Sequence, residues 1–226
     1  MNRVVWIAAS ILALQGPAGL ADEAAGAKPP EAQKTVASPL LDPSLATLQA
    51  PPKFRVELTT TKGPVVIEVN REWAPNGADR FYNLVKIGFF DDIAFFRVIP
   101  NFMAQFGIHG DPAVAKTWRD ATIQDDPVVQ SNERGFLTYA KTARPHSRST
   151  QFFINLKANK ALDMQGFAPF VKVVEGMDAV DAIFKVGEGA PRGPGPAQRR
   201  IQFKGNAYLK EAFPKLDYVK GAVLLE

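Results

Sequence analysis

The feature that most restricts the possible folds is a period of two. From Lys53 onward, apolar and polar residues alternate in short runs, each closed by a turn signal. Phe54, Val56 and Leu58 alternate with Arg55 and Glu57, and Lys62-Gly63 turns the chain into a second run, Val65–Val69. Alternation of this kind places one face of a strand on a core, and the tight turn makes the pair a hairpin. Phe95–Ile99 and Phe102–Phe106, split by Pro100-Asn101, read as two more strands. Gly135–Ala140, Gln151–Leu156 and Phe167–Val174 follow, with Arg200–Phe203 as a closing strand. Only two stretches show helical spacing. Phe81, Leu84 and Val85 lie on one face of Ala78–Ile87, which starts after Pro75-Asn76-Gly77 and stops at Gly88. Val180, Ile183 and Phe184 lie on one face of Met177–Phe184. Gly107–Asn132 is a long excursion with Trp118 as its anchor, and Gly187–Pro196 is a Gly/Pro loop. The expectation is a mainly β domain: a closed antiparallel barrel of about eight strands with helices at its ends. Closure removes the exposed edges that so many strands create. Periodicity alone does not separate that barrel from a sandwich.

The flanks read differently. Arg3, the apolar stretch Val4–Leu14 and the small residues Ala18-Gly19-Leu20-Ala21 have the three-part layout of a signal peptide over residues 1–21. The apolar stretch falls well short of the roughly 20 residues of a membrane span, so no stable insertion is expected after cleavage. Residues 22–52 are rich in Ala and Pro and read as a flexible tether, with a short helical turn at Ser44–Gln49. The domain is expected over 53–205, and 206–226 as an extension packed on it through Leu209, Phe213, Leu216, Tyr218 and Val219. A monomer, periplasmic or otherwise exported, is the expectation.

Several chemistries are excluded. The chain has no Cys, hence no disulfide, no thiol nucleophile and no thiolate-bound metal. Its two His, His109 and His146, stand far apart in sequence, and neither has a second His at ligand spacing. The net charge of +4 comes with both signs interleaved and no basic run, which argues against nucleic acid. No metal and no cofactor is expected.

What stands out is Phe95-Phe96-Arg97-Val98-Ile99-Pro100-Asn101-Phe102-Met103-Ala104-Gln105-Phe106. On strand geometry Arg97 points away from Phe96 and Val98, and Met103 and Gln105 share a face. A guanidinium among large apolar residues needs a partner or an open cleft. Gln151 and Phe153 likewise share a face of a later strand. These strands fit a cleft with an apolar floor, one cation and two amides; they fit equally a barrel core with a surface arginine.

Taken together, these segments resemble the cyclophilin family of peptidyl-prolyl cis/trans isomerases over about Lys53 to Phe203. The Phe-Phe-Arg-Val-Ile-Pro block, Gly135–Ala140, Gln151–Ile154 and Val173-Val174-Glu175-Gly176-Met177 carry the resemblance. It implies an eight-stranded antiparallel barrel capped by two α-helices, and proline-containing segments of unfolded proteins as partners. It assigns Arg97, Phe102 and Gln105 to catalysis. Met103, Phe153 and Leu162 would wall the proline pocket, with Ala140, Lys141, Gln151 and Phe167 along the groove. Ala161 stands where some relatives carry Trp, Lys141 replaces a common Asn, and Phe167 replaces a His or Tyr. The implied function is isomerisation of X-Pro bonds in exported proteins; a peptide-holding module with little turnover is the alternative.

Overall fold

The computed structural model describes residues 38–225. The signal peptide and the first part of the tether lie outside them. The sheet has nine strands: β1 Lys53–Thr60, β2 Gly63–Asn70, β3 Ile93–Ala94, β4 Arg97–Ile99, β5 Met103–Phe106, β6 Phe136–Tyr139, β7 Phe152–Asn155, β8 Pro169–Glu175 and β9 Tyr218–Leu225. The helices are α1 Pro75–Lys86, α2 Pro112–Arg119, α3 Met177–Ala182 and α4 Gln198–Ala212.

Every strand pairing is antiparallel, and the order is β3-β9-β1-β2-β8-β6-β7-β5-β4. The first and last strands in that order are neighbours in the chain, joined by Phe95-Phe96. Phe95 N–H donates to Asp217 on one side (2.9 Å) and Phe96 N–H to Gln105 on the other (3.1 Å). The sheet therefore curls until one continuous segment spans its two edges, which resolves barrel against sandwich. The inward residues form a buried, largely aromatic core. Phe81 of α1 touches Phe90, Phe152 and Phe170 with ring centroids 5.2, 5.4 and 5.7 Å apart. Tyr139 sits 4.5 Å from Phe152 and donates its hydroxyl to Gly77 O at 2.9 Å. Each such ring pair adds about 0.5–1.5 kcal/mol beyond its buried area.

The strand expectations hold except for the last. Arg200–Phe203 lies in α4, where Ile201, Tyr208 and Leu209 are buried and Phe203 is exposed. The alternating Arg-Ile-Gln-Phe run mimicked a strand, but its helical face packs on α2. The closing strand is β9, which runs between β1 and β3. A domain end at 205 would thus cut α4 and remove a sheet strand, so the 206–226 extension belongs to the barrel itself. Gly205 breaks α4 with φ +56°, and a Cβ there would lie within 2 Å of Gly110 O, in backbone contact only glycine allows.

The tether boundary at 52 also moves. Two 3₁₀ turns, Pro39–Leu41 and Pro43–Leu45, take the place of the expected turn at 44–49. This segment is fastened to the domain. Trp118 Nε1 donates to Leu40 O (2.9 Å), Leu48 N–H to Asn83 Oδ1 (2.9 Å), and Ala50 N–H to Asp79 Oδ1 (2.8 Å). The excursion 107–132 contains α2, capped by Asp111, whose carboxylate accepts from Ala113 N–H at 2.7 Å. Trp118 is fully buried, as an anchor should be.

Candidate active site

Strand register builds the floor of the site. In the β4–β5 pair Arg97 lies opposite Gln105, and in the β5–β7 pair Gln105 lies opposite Phe153. Three neighbouring strands thus set guanidinium, amide and aromatic ring in one row on the outer face. Met103 and Gln151 stand two residues along on the same face. Arg97 Nη1 donates to Gln105 Oε1 at 3.1 Å, and Gln105 Nε2 donates to Gln151 Oε1 at 3.0 Å. The Arg97 guanidinium carbon stands 5.9 Å from the centre of the Phe102 ring.

The row lies at the bottom of an open cavity of about 610 Å³. The structure brings every residue named from the sequence to that cavity: Arg97, Phe102, Met103 and Gln105 on or beside β5, Ala140 and Lys141 after β6, Gln151 and Phe153 at β7, and Leu162 and Phe167 beyond. Phe153 and Phe167 meet edge to face at 5.8 Å, and Lys141 Nζ lies 5.5 Å over the Phe167 ring. The loop 141–150 adds Thr142, Ser147 and Ser149, whereas His146 is exposed and binds Asp125 N–H through Nδ1 at 3.0 Å. Ala161 lines a neighbouring hollow of about 480 Å³, which shares Phe102 and Leu162 with the main cavity.

A buried amide network holds the wall. Asn159 Nδ2 donates to Phe102 O (2.9 Å) and Asn155 Oδ1 (2.7 Å). Asn155 Nδ2 donates to Asn132 Oδ1 (3.2 Å), and Asn132 Nδ2 to Phe167 O (2.9 Å) and Asp163 Oδ1 (2.7 Å). Burial would raise the Asp163 pKa, but hydrogen bonds from Ser131 and Asn132 outweigh it and hold the carboxyl below its ordinary value. Phe102, Leu162 and Phe167 are thereby tied into one frame. Sequence reading missed this network, whose members are scattered single asparagines.

It also missed Glu188. Arg97 Nε donates to Glu188 Oε1 at 2.6 Å and Nη2 to Oε2 at 2.7 Å, a bidentate pair across 91 residues of chain. Hydrogen bonding from Arg97, opposed in part by burial, keeps the Glu188 carboxyl below its ordinary value, and Arg192 adds to the effect. Arg192 and Gln198 complete this side of the cavity. No sequence signal marked Glu188, which lies in a Gly/Pro loop without periodicity. Among the described residues no group of three His, Asp or Glu side chains stands close enough to share a metal ion.

The chain is similar to known proteins over the same stretch that builds this cavity. Residues 55–202 match the family model for cyclophilin type peptidyl-prolyl cis-trans isomerases. A peptidyl-prolyl cis-trans isomerase of Acinetobacter baylyi is 38% identical over 135 residues, 58% of this chain and 72% of that protein. One of Streptomyces antibioticus is 38% identical over 146 residues, 61% of this chain and 87% of that protein. A cyclophilin type isomerase from Cryptosporidium parvum superimposes with a TM-score of 0.57 at 18% identity, covering 77% of this chain and 98% of that one; at that identity the likeness shows the fold. A second crystal structure of that protein was determined in the presence of the dipeptide Ala-Pro. Fold, family match and homologous sequence converge on one assignment: the chain belongs to the cyclophilin type peptidyl-prolyl cis-trans isomerases.

Proposed function

We propose that this isomerase acts on X-Pro bonds of exported proteins and assists their folding, with Arg97, Phe102 and Gln105 at the reacting bond. The row Arg97–Gln105–Phe153 at the cavity floor is the observation that carries the reading. Rotation about an X-Pro bond takes tens to hundreds of seconds unaided, against an amide-resonance barrier of about 18–20 kcal/mol. Weakening the resonance suffices, and no covalent intermediate is needed. Phe102, Met103, Phe153 and Leu162 hold the proline ring, and Gln105 binds a substrate carbonyl. Arg97 donates to the prolyl nitrogen, whose lone pair is free to accept only when the amide is twisted. That is stronger binding of the transition state than of the ground state. A thousandfold gain needs about 4 kcal/mol. Ala140, Lys141, Gln151 and Phe167 line the path of the flanking peptide, and the protein works without cofactor, as a monomer.

The signal layout of residues 1–21 supports export to the periplasm. Among the described residues no helix is long and apolar enough to cross a membrane. Two measurements test the reading. The purified chain should accelerate isomerisation of a proline tetrapeptide; binding without turnover would make it a peptide-holding module. Protein recovered from cells should begin near Asp22 outside the inner membrane, and Met1 on cytosolic protein would overturn export.

A further inference from the structure

The loop joining α3 to α4 is organised around one side chain. Gly187 N–H donates to Val98 O at 2.9 Å, fastening the loop to the strand that carries Arg97. Gly195 N–H donates to Glu188 O at 2.8 Å, and Gly189 N–H donates to Glu188 Oε1 at 2.9 Å. A Cβ on Gly193 would lie 2.5 Å from Glu188 O and 2.7 Å from Glu188 Cβ; one on Gly195 would lie 2.9 Å from that oxygen. Only residues without side chains let the loop close over Glu188 in this way. The outcome is a carboxylate fixed by its own backbone and set against the Nε/Nη2 edge of Arg97.

A fork-to-fork pair fixes the plane of the guanidinium as well as its position. Both side chains are partly open to solvent, 22% for Arg97 and 34% for Glu188, and pairs this exposed contribute little to stability. Stability therefore does not account for so closely built a loop. Donor counting gives another account. Arg97 has five N–H bonds; Glu188 takes two, Gln105 takes one, and the Met103 sulfur takes one from Nη1 at 3.8 Å. The remaining one, on Nη2, is available to a peptide in the cavity, and the weak contact to sulfur is readily exchanged for one.

We propose that Glu188 is a positioning residue for the isomerisation, holding the Arg97 guanidinium in one plane so that its cleft-facing edge meets the twisted prolyl amide without a search. Catalysis by a donor depends on such pre-organisation, since a fork free to rotate must be ordered at each turnover. Glu188 itself needs no contact with substrate. The inference rests on the isomerase reading and adds the residue that sets the geometry of its cation.

The test is Glu188→Gln in the full chain. The amide keeps the size of the side chain, and its oxygen still accepts from Gly189 N–H, but its NH₂ cannot accept from Arg97. The expected result is an about fivefold lower kcat with KM changed less than twofold. The Arg97 Nη2 protons, which lose their acceptor, should also exchange with water at least tenfold faster in nitrogen-15 NMR than in the unmodified protein. Unchanged or raised kcat in the folded variant would overturn the role of Glu188 while leaving the isomerase reading standing. A change in KM alone would overturn it too, by showing that the loop binds peptide rather than orienting Arg97. An unmodified chain without turnover would overturn the isomerase reading, and the role of Glu188 with it.

Discussion

In the floor of the cleft, Arg97, Gln105 and Phe153 stand side by side because β4, β5 and β7 are hydrogen-bonded in register. At its rim, Lys141 and Arg192 stand on loops, and Glu188, on the same loop as Arg192, reaches Arg97 from behind the cavity wall; glycines and a few long-range hydrogen bonds place that loop. The floor inherits its precision from the barrel, whose inner face is packed with rings. Moving one floor residue would mean slipping a strand and turning its whole buried set outward. The rim has no such guard. Its geometry can change while the barrel stays intact, so the rim is where this protein can be tuned at little cost in stability.

Three measurements can break or sharpen that contrast. The largest effect is expected at the floor. Arg97→Ala should lower kcat/KM on the order of a hundredfold, as loss of a transition-state donor does elsewhere. The circular dichroism spectrum should be unchanged, because Arg97 points away from the core. A folded variant with near-native activity would remove Arg97 from the mechanism.

A smaller effect is expected at the rim. In Gly193→Ala the new Cβ collides with Glu188, so the loop must shift. Activity should fall about fivefold, as expected where a positioned group is loosened. Amide exchange in β5 and β7 should match the unmodified protein. Faster exchange confined to residues 187–196 would agree with separate floor and rim; faster exchange throughout the barrel would show that the two are one cooperative unit.

The smallest effect concerns pH. The proposed site offers a guanidinium, amides and apolar walls, side-chain types that take no part in proton transfer between pH 6 and 9. Glu188 has a lowered pKa through its bonds to Arg97, so its contribution is complete above the ordinary carboxylate value of about 4.3 and is lost as pH falls through the lowered value. His109 has a lowered pKa because burial outweighs the nearby Asp111 and Asp91 charges. It packs on Phe89 at 5.1 Å, outside the main cavity, and the stability it contributes is present above about 6.5 and declines as pH falls. Catalytic efficiency should therefore stay within about twofold from pH 6 to 9, while the melting temperature begins to fall on the acid side. A tenfold change in efficiency centred near 6.5 would place an imidazole in the mechanism, and His146→Asn would then identify which one.

The same division governs what was legible in the chain. Arg97, Met103, Gln105, Gln151 and Phe153 could be placed on strand faces because neighbours two residues apart report a strand's orientation locally, and the family resemblance supplied their roles. The helical face of α1 was equally plain. Two helices were not. In α2 the signal was present, an Asp-Pro start with Val114, Ala115 and Trp118 buried, but eight residues give barely two turns of period. In α4 the break at Gly205 interrupts the helical phase, and Ile201 with Phe203 imitates alternation.

By itself the sequence determined seven of the nine strands, β1, β2 and β4 to β8, with the first and third helices and the face on which the cation and amides stand, since these follow from short-range periodicity and the cost of burying polar groups. Only the tertiary structure decided that 38–52 is fastened to the domain, that β9 spans the sheet between β1 and β3, and that Glu188 grips Arg97. Those contacts join residues far apart in the chain. Glycine loops and isolated asparagines carry no period, so nothing local records the partner each will meet once the barrel has closed.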